Sequence, residues 1–140
     1  MTLCSSLWLN AQNFIHPGML HTQADLDRTK AKVEAGEEPW ASAYRKLLTS
    51  PHVSLDWKAA PVEKIVRGGR TIWEPDPDNY QLAYRDAATA YQCALVWHIS
   101  GDKAYADKSV QILNAWAKTC KKVSGDTNAC LAYGLYGYQF

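Results

Sequence analysis

The stretch from Tyr80 to Thr119, YQLAYRDAATAYQCALVWHISGDKAYADKSVQILNAWAKT, restricts the fold more than any other part of the chain. Its apolar residues recur at helical spacing on both sides of one short break, Ser100-Gly101-Asp102. Glycine at the break supplies the left-handed residue that ends a helix, and the aspartate after it caps the next. The pattern therefore predicts a helical hairpin. Leu82, Ala83, Ala87, Ala90, Tyr91, Ala94, Leu95 and Ile99 form the expected inward stripe of its first arm. Ala106, Val110, Leu113, Trp116 and Ala117 form that of the second. Small residues let two helices approach closely, while Tyr and Trp fill the wedges between them. Such hairpins are the repeating unit of α/α arrays and toroids.

The remaining segments extend this all-α reading. Residues 1–21 read as irregular, with a turn at His16-Pro17-Gly18. Thr22 as N-cap and Asp25 in the first turn predict a helix over Ala24 to Ala35, with Leu26 and Val33 inward and Gly36 as its stop. Pro39 at the first helical position predicts a second helix from Trp40 to Thr49, with Trp40, Ala43, Tyr44 and Leu47 on one face. Residues 51–78, with four prolines and the run Arg67-Gly68-Gly69-Arg70, read as a long irregular loop. A short strand or helical turn near Val62 to Val66 is its one regular option. Loops of this length are often functional. Past a turn at Gly125-Asp126-Thr127-Asn128, a last helix is expected from Ala129, with Leu131, Ala132, Leu135 and Tyr136 inward.

Composition narrows the function classes. A chain of 140 residues with 47% hydrophobic and 21% charged residues is one domain or part of one. Fifteen basic against fourteen acidic residues leave a formal charge of +1, so no global field recruits nucleic acid or an anionic membrane. No stretch approaches the roughly 20 apolar residues of a membrane span, and the N-terminus carries no clear signal peptide. Six Trp and eight Tyr against two Phe is a set of rings with polar edges. These rings serve cores, and they also serve sugar sites, where a flat face meets C–H groups. Cys4, Cys93, Cys120 and Cys130 show no metal-ligand spacing, so no metal or other cofactor is expected. Cys93 reads as a small core residue. Cys120 and Cys130 flank a loop that a bridge would clamp, although sequence separation does not set their distance.

Three segments taken in order resemble a known family. They are FIHPGMLHTQADLDRTKAKVEAGEEPW (Phe14 to Trp40), DAATAYQCALVWHISGDKAYADKSVQILNAW (Asp86 to Trp116) and GDTNACLAYGLYGYQF (Gly125 to Phe140). Together they resemble the alginate-lyase-like family of polysaccharide lyases. The resemblance implies that residues 22–140 form part of an incomplete (α/α) toroid around a cleft for an acidic, uronate-containing polysaccharide. It implies β-elimination: the uronate carboxylate is neutralised, the C5 proton is removed, and the C4–O bond breaks to leave an unsaturated sugar. It also implies a secreted or periplasmic protein. In lyases of this architecture an Asn-His pair, and a Tyr near an Arg, commonly share the catalytic roles. This sequence has no Asn-His pair, so its catalytic residues are unassigned. The helix expected from Ala129 reaches Phe140 without an exit signal, so the chain reads as the N-terminal part of such a toroid.

The substrate-binding candidates are Arg67, Arg70, Trp73, Asn79 and Tyr80. A guanidinium suits bidentate recognition of a carboxylate, against the alternative of solvated loop arginines. Trp73 is placed to stack on a sugar ring or to anchor the loop. Asn79 and Tyr80 stand at a helix start, where toroids present groups to the cleft; an N-cap is the other role for Asn79. His98 reads as a cation favoured near a helix C-terminus, and His16 and His21 as structural hydrogen-bonding groups. His52 has no distinguishing context. Two function classes follow: a β-eliminating lyase, and a non-catalytic helical module that at most binds acidic glycan.

Overall fold

The computed structural model describes residues 20–136. The turn expected at His16-Pro17-Gly18, Cys4, Tyr138 and the chain end lie outside the described residues. The order of elements is α1 (Gln23–Glu34), α2 (Trp40–Leu48), β1 (Lys64–Arg67), α3 (Gln81–Ser100), α4 (Lys103–Thr119), β2 (Lys122–Gly125) and α5 (Asn128–Tyr136). The fold is mostly helical, and no described helix is long and apolar enough to cross a membrane.

α1 begins on a complete capping box. The Thr22 hydroxyl accepts from Asp25 N–H, and the Asp25 carboxylate accepts from Thr22 N–H. α2 starts at Trp40 as expected and ends at Leu48, with Pro39 in the cap position and not at the first helical position. Gly101, at φ 77°, ends α3, and Asp102 caps α4 by accepting from Ala104 N–H. The tight turn of the hairpin is thus built as its residues dictate.

α3 and α4 pack through alanines. Ala83, Ala87 and Ala90 are buried on α3 and let Ile112 and Trp116 of α4 press against it. Ile65 of β1 joins Ala83, Ala90, Ile112 and Trp116 in one core cluster, flanked by Trp57, Val62, Tyr80 and Leu113. Burying a side chain such as Ile112 contributes about 2–3 kcal/mol.

The inward face of α4 is rotated from the expected stripe. Ser109, Ile112 and Trp116 are buried with Leu113 half-buried, whereas Val110 is 54% exposed and Ala117 is exposed. A hydrophobic stripe cannot foresee this face, because it is a polar residue, Ser109, that is buried in place of the apolar Val110. On α5, Ala132 is buried while Leu131 and Leu135 are each about half exposed, which overturns the expected apolar inner face. That helix packs against β2, β1 and α3.

The long segment is not wholly irregular. Two β-branched residues, Ile65 and Val66, put β1 in it, and β1 pairs in parallel with β2 in the register Lys64↔Lys122 to Arg67↔Gly125. Parallel partners need a long crossover, and the α3–α4 hairpin is that crossover. Gly125 closes the pair at φ 141°, where a Cβ would drive into the Arg67 carbonyl oxygen. β2 occupies residues expected to be loop. Cys93, Cys120 and Cys130 are all free thiols, so the bridge between Cys120 and Cys130 is not formed. Cys93 is buried, and burial raises its thiol pKa.

Asp86 holds the segment before β1 to the hairpin. Its carboxylate is 2% exposed and accepts from Trp57 Nε1 (2.8 Å), Ala60 N–H (2.8 Å) and Trp116 Nε1 (2.7 Å). Three donors on one buried carboxylate satisfy a charge that would otherwise be costly to bury. His52 is more than a loop residue, because its Nδ1 lies 2.9 Å from the Thr89 hydroxyl on α3.

Candidate functional site

Chain direction reverses between β1 and α3 in a compact loop over residues 67–80. Backbone bonds close it on itself: Arg70 N–H donates to Asp76 O (3.1 Å), and Thr71 N–H donates to Glu74 O (2.9 Å). Gly69 N–H donates to the Asp78 carboxylate (2.7 Å), and Asn79 and Tyr80 N–H both donate to Val66 O. Arg70 takes a left-handed conformation at φ 59° to make the bend.

Glu74 is the anchor of this loop. It is 3% exposed and accepts from the Ser124 hydroxyl of β2 and from the Lys64 ammonium of β1 at 2.9 Å. These two bonds hold its carboxyl at a pKa of about 2, against an ordinary 4.5. Lys64 also pairs with Asp76 at 2.5 Å, and the two carboxylates, Asp76 foremost, raise the lysine pKa. Anchoring Glu74 leaves its neighbours outward: Ile72 is 88% and Trp73 is 83% exposed. A large apolar pair at the tip of a closed loop is a feature of binding surfaces.

The five candidates separate into three roles. Arg67 and Tyr80 are brought together, with the guanidinium carbon 4.7 Å from the phenol ring centroid. The Tyr80 ring in turn leans on Tyr84, at 6.3 Å between centroids. Arg70 and Trp73 are exposed on the same anchored loop. Trp73 is therefore not packed down as a loop anchor.

Asn79 is not the N-cap of α3. Tyr80 holds the cap position, and the Asn79 side chain accepts from Val66 N–H (2.7 Å) and donates to Lys64 O (3.0 Å). Its amide matches the open edge of β1, which explains its assignment to the strand. Chemically, the loop offers guanidinium groups for a carboxylate and an indole face for a ring.

Two features escaped the sequence reading. Glu74 lies between exposed neighbours and carries no periodic signal for burial. Asp86 is a single acid in an alanine-rich helix, and only the two distant indoles that bind it reveal its role. His21, expected as a structural hydrogen-bonding group, lies 2.6 Å from the Tyr91 hydroxyl through Nε2, which ties the start of α1 to α3. His98, in the last turn of α3, has Nε2 3.7 Å from Asp27 of α1. Tyr133, half exposed on α5, donates to Val123 O at 3.3 Å.

An apolar cavity of about 220 Å³ lies between α1, α2 and α3, with Leu26, Val33, Trp40, Ala43, Tyr44 and Leu47 among its walls. The α2 face expected to point inward lines it. Among the described residues no group of three or more His, Cys, Asp or Glu side chains is placed to hold a metal ion. Comparison with protein-family models, curated proteins and solved structures finds no match to this chain.

Proposed function

We propose that this chain belongs to an alginate-lyase-like polysaccharide lyase and supplies hairpins of an (α/α) toroid together with a loop that binds uronate-containing polysaccharide. The observation that carries the reading is the loop over residues 67–80. It is anchored through Glu74, exposes Trp73 and Arg70 and sets Arg67 against Tyr80. The α3–α4 hairpin, with its alanine seam, supports the toroid.

In this reading a guanidinium neutralises the uronate carboxylate and stabilises the charge that develops as the C5 proton leaves. A base takes that proton, the electron pair forms the C4=C5 double bond, and the C4–O bond breaks with protonation of the leaving oxygen. Arg67 and Arg70 are the neutralising groups, and Trp73 stacks on a neighbouring ring. Action on such a polymer fits an extracellular or periplasmic setting.

The test is incubation of the protein with alginate, glucuronan and other polyuronates while the absorbance of the unsaturated product is followed. A rise that falls on Arg67→Ala is the expected result; no rise with any polyuronate sinks the lyase reading. A second reading, a non-catalytic module that binds acidic glycan, is favoured by the lack of an Asn-His pair. It predicts polyuronate binding that weakens on Trp73→Ala, by about 1–3 kcal/mol for a lost stacking contact, without any elimination.

A further inference from the structure

Ile72 and Trp73 are the most exposed large hydrophobic side chains among the described residues. They form the turn that Thr71 N–H closes on Glu74 O, and Glu74 is fixed in place by Lys64 and Ser124. The pair is thus presented on an anchored base. Keeping it in water costs free energy that a partner surface would recover. Arg70, exposed at the foot of the same turn, forms no ion pair among the described residues.

A receiving surface lies against the other end of α3. The cavity of about 220 Å³ between α1, α2 and α3 is walled by Leu26, Val33, Trp40, Leu47, Leu95 and Ile99. None of its wall residues is fully buried, so it opens to the surface. Three polar groups of the wall are bonded within the chain: His21 Nε2 to the Tyr91 hydroxyl (2.6 Å), the Thr29 hydroxyl to Asp25 O (2.8 Å) and the Tyr44 hydroxyl to Ser100. Water in such a space finds few partners, whereas an apolar cavity of about 150 Å³ already holds a benzene ring. The larger volume here has room for an indole. The remaining polar wall residue, His98, has Nε2 3.7 Å from Asp27 Oδ1. That carboxylate is 63% exposed and meets no Lys or Arg among the described residues. The apolar turn thus has an unpaired cation beside it, and the apolar cavity has an anion beside it.

We propose that copies of this chain associate head to tail, with Trp73 of one copy in the α1–α2–α3 cavity of the next and Arg70 against Asp27. A copy cannot make this contact with itself. The loop over residues 67–80 ends where α3 begins at Gln81, whereas Leu95, His98 and Ile99 of the wall lie 14 or more residues further along, about 20 Å at 1.5 Å per residue. The contact is heterologous, so each pair keeps one free loop and one free cavity, and growth continues into a ring or a filament. It requires no elimination chemistry and no polysaccharide, so it stands or falls apart from the lyase reading.

Sedimentation of the full chain over a range of concentrations tests it. The wild-type mass is expected to rise with concentration past that of a dimer. Trp73→Ala removes the ring, and Ala43→Arg sets a long charged side chain on the exposed part of the wall. Each alone is expected to weaken association by about tenfold or more. Mixed, the two variants are expected to form a one-to-one pair and nothing larger, because the cavity of the first accepts Trp73 of the second. Asp27→Lys is expected to weaken the contact, and Arg70→Glu in the same chain to restore it. Thermal melting checks that each variant folds, and the charge exchange decides the matter if Ala43→Arg does not fold. A wild type that stays monomeric to millimolar concentration overturns the proposal; if free indole raises its melting temperature, the cavity belongs to small apolar molecules instead. Undiminished association of folded Trp73→Ala, or no pairing in the mixture, overturns it as well.

Discussion

Asp86 shows how a single residue can join segments that the sequence keeps far apart. Its carboxylate collects two indole N–H groups and a backbone N–H from residues 57, 60 and 116, all in a site closed to water. Replacing it with asparagine leaves one oxygen acceptor and turns an amide N–H₂ toward an N–H donor. Asp86→Asn is therefore expected to destabilise the fold by about 2–4 kcal/mol. Asp107→Asn on exposed α4 should change stability by no more than about 0.5 kcal/mol. Urea unfolding of the two variants checks this, and equal losses would refute a special role for Asp86. None of this is legible in the sequence, where Asp86 and Asp107 are equally plain acids in helices. The difference arises because Trp57 and Trp116 converge on one of them. Asn79 teaches the same lesson: an asparagine at a helix start suggests a cap, but the unpaired edge of β1 competes for its amide and holds it at two points.

At the scale of elements, local signals were read well and non-local ones were not. The capping box of α1, the glycine break of the hairpin and the pocket-lining face of α2 each follow from residues a few positions apart. The β1–β2 pair depends on four residues meeting four others across the whole α3–α4 crossover, and nothing local announces it. That pair supports the loop over residues 67–80, because Ser124 of β2 and Lys64 of β1 both bond Glu74. The support is sensitive to acid. The folded pKa of Glu74, about 2, lies below its ordinary 4.5, so the native state favours the ionised form. The contribution is complete above pH 4.5 and is lost as pH falls toward about 2. Melting temperatures of wild type and Glu74→Gln should differ most above pH 4.5 and converge as the solution approaches pH 2. A gap that does not vary with pH would show that Glu74 acts through something other than its charge.

Across the whole molecule, burial is uneven, and the unevenness assigns different stabilities to different helices. α3 contributes seven buried residues, Ala83, Asp86, Ala87, Thr89, Ala90, Cys93 and Val96, whereas α1 contributes none. α1 is held by half-buried side chains around the apolar cavity, by the His21–Tyr91 bond and by the approach of His98 to Asp27. Its backbone has good local reasons to be helical but few tertiary reasons to stay docked. The sequence conveyed the first and not the second, since Leu26 and Val33 lie on the expected face yet border a cavity that packing does not fill. Opening of a segment is governed by the contacts it must break, so α1 should detach well before the α3–α4 hairpin unfolds. Native-state hydrogen exchange is expected to rank the amides of α1 far below those between Ala87 and Val96 in protection. Removing the tie at one end, in His21→Ala, should speed exchange in α1 further while leaving the α3–α4 hairpin unchanged. Protection of α1 equal to that of α3, or a loss spread evenly over both on His21→Ala, would mean that the molecule opens as one unit. The apolar cavity beneath α1 would then be a fixed feature of the core and not the seam along which the fold parts.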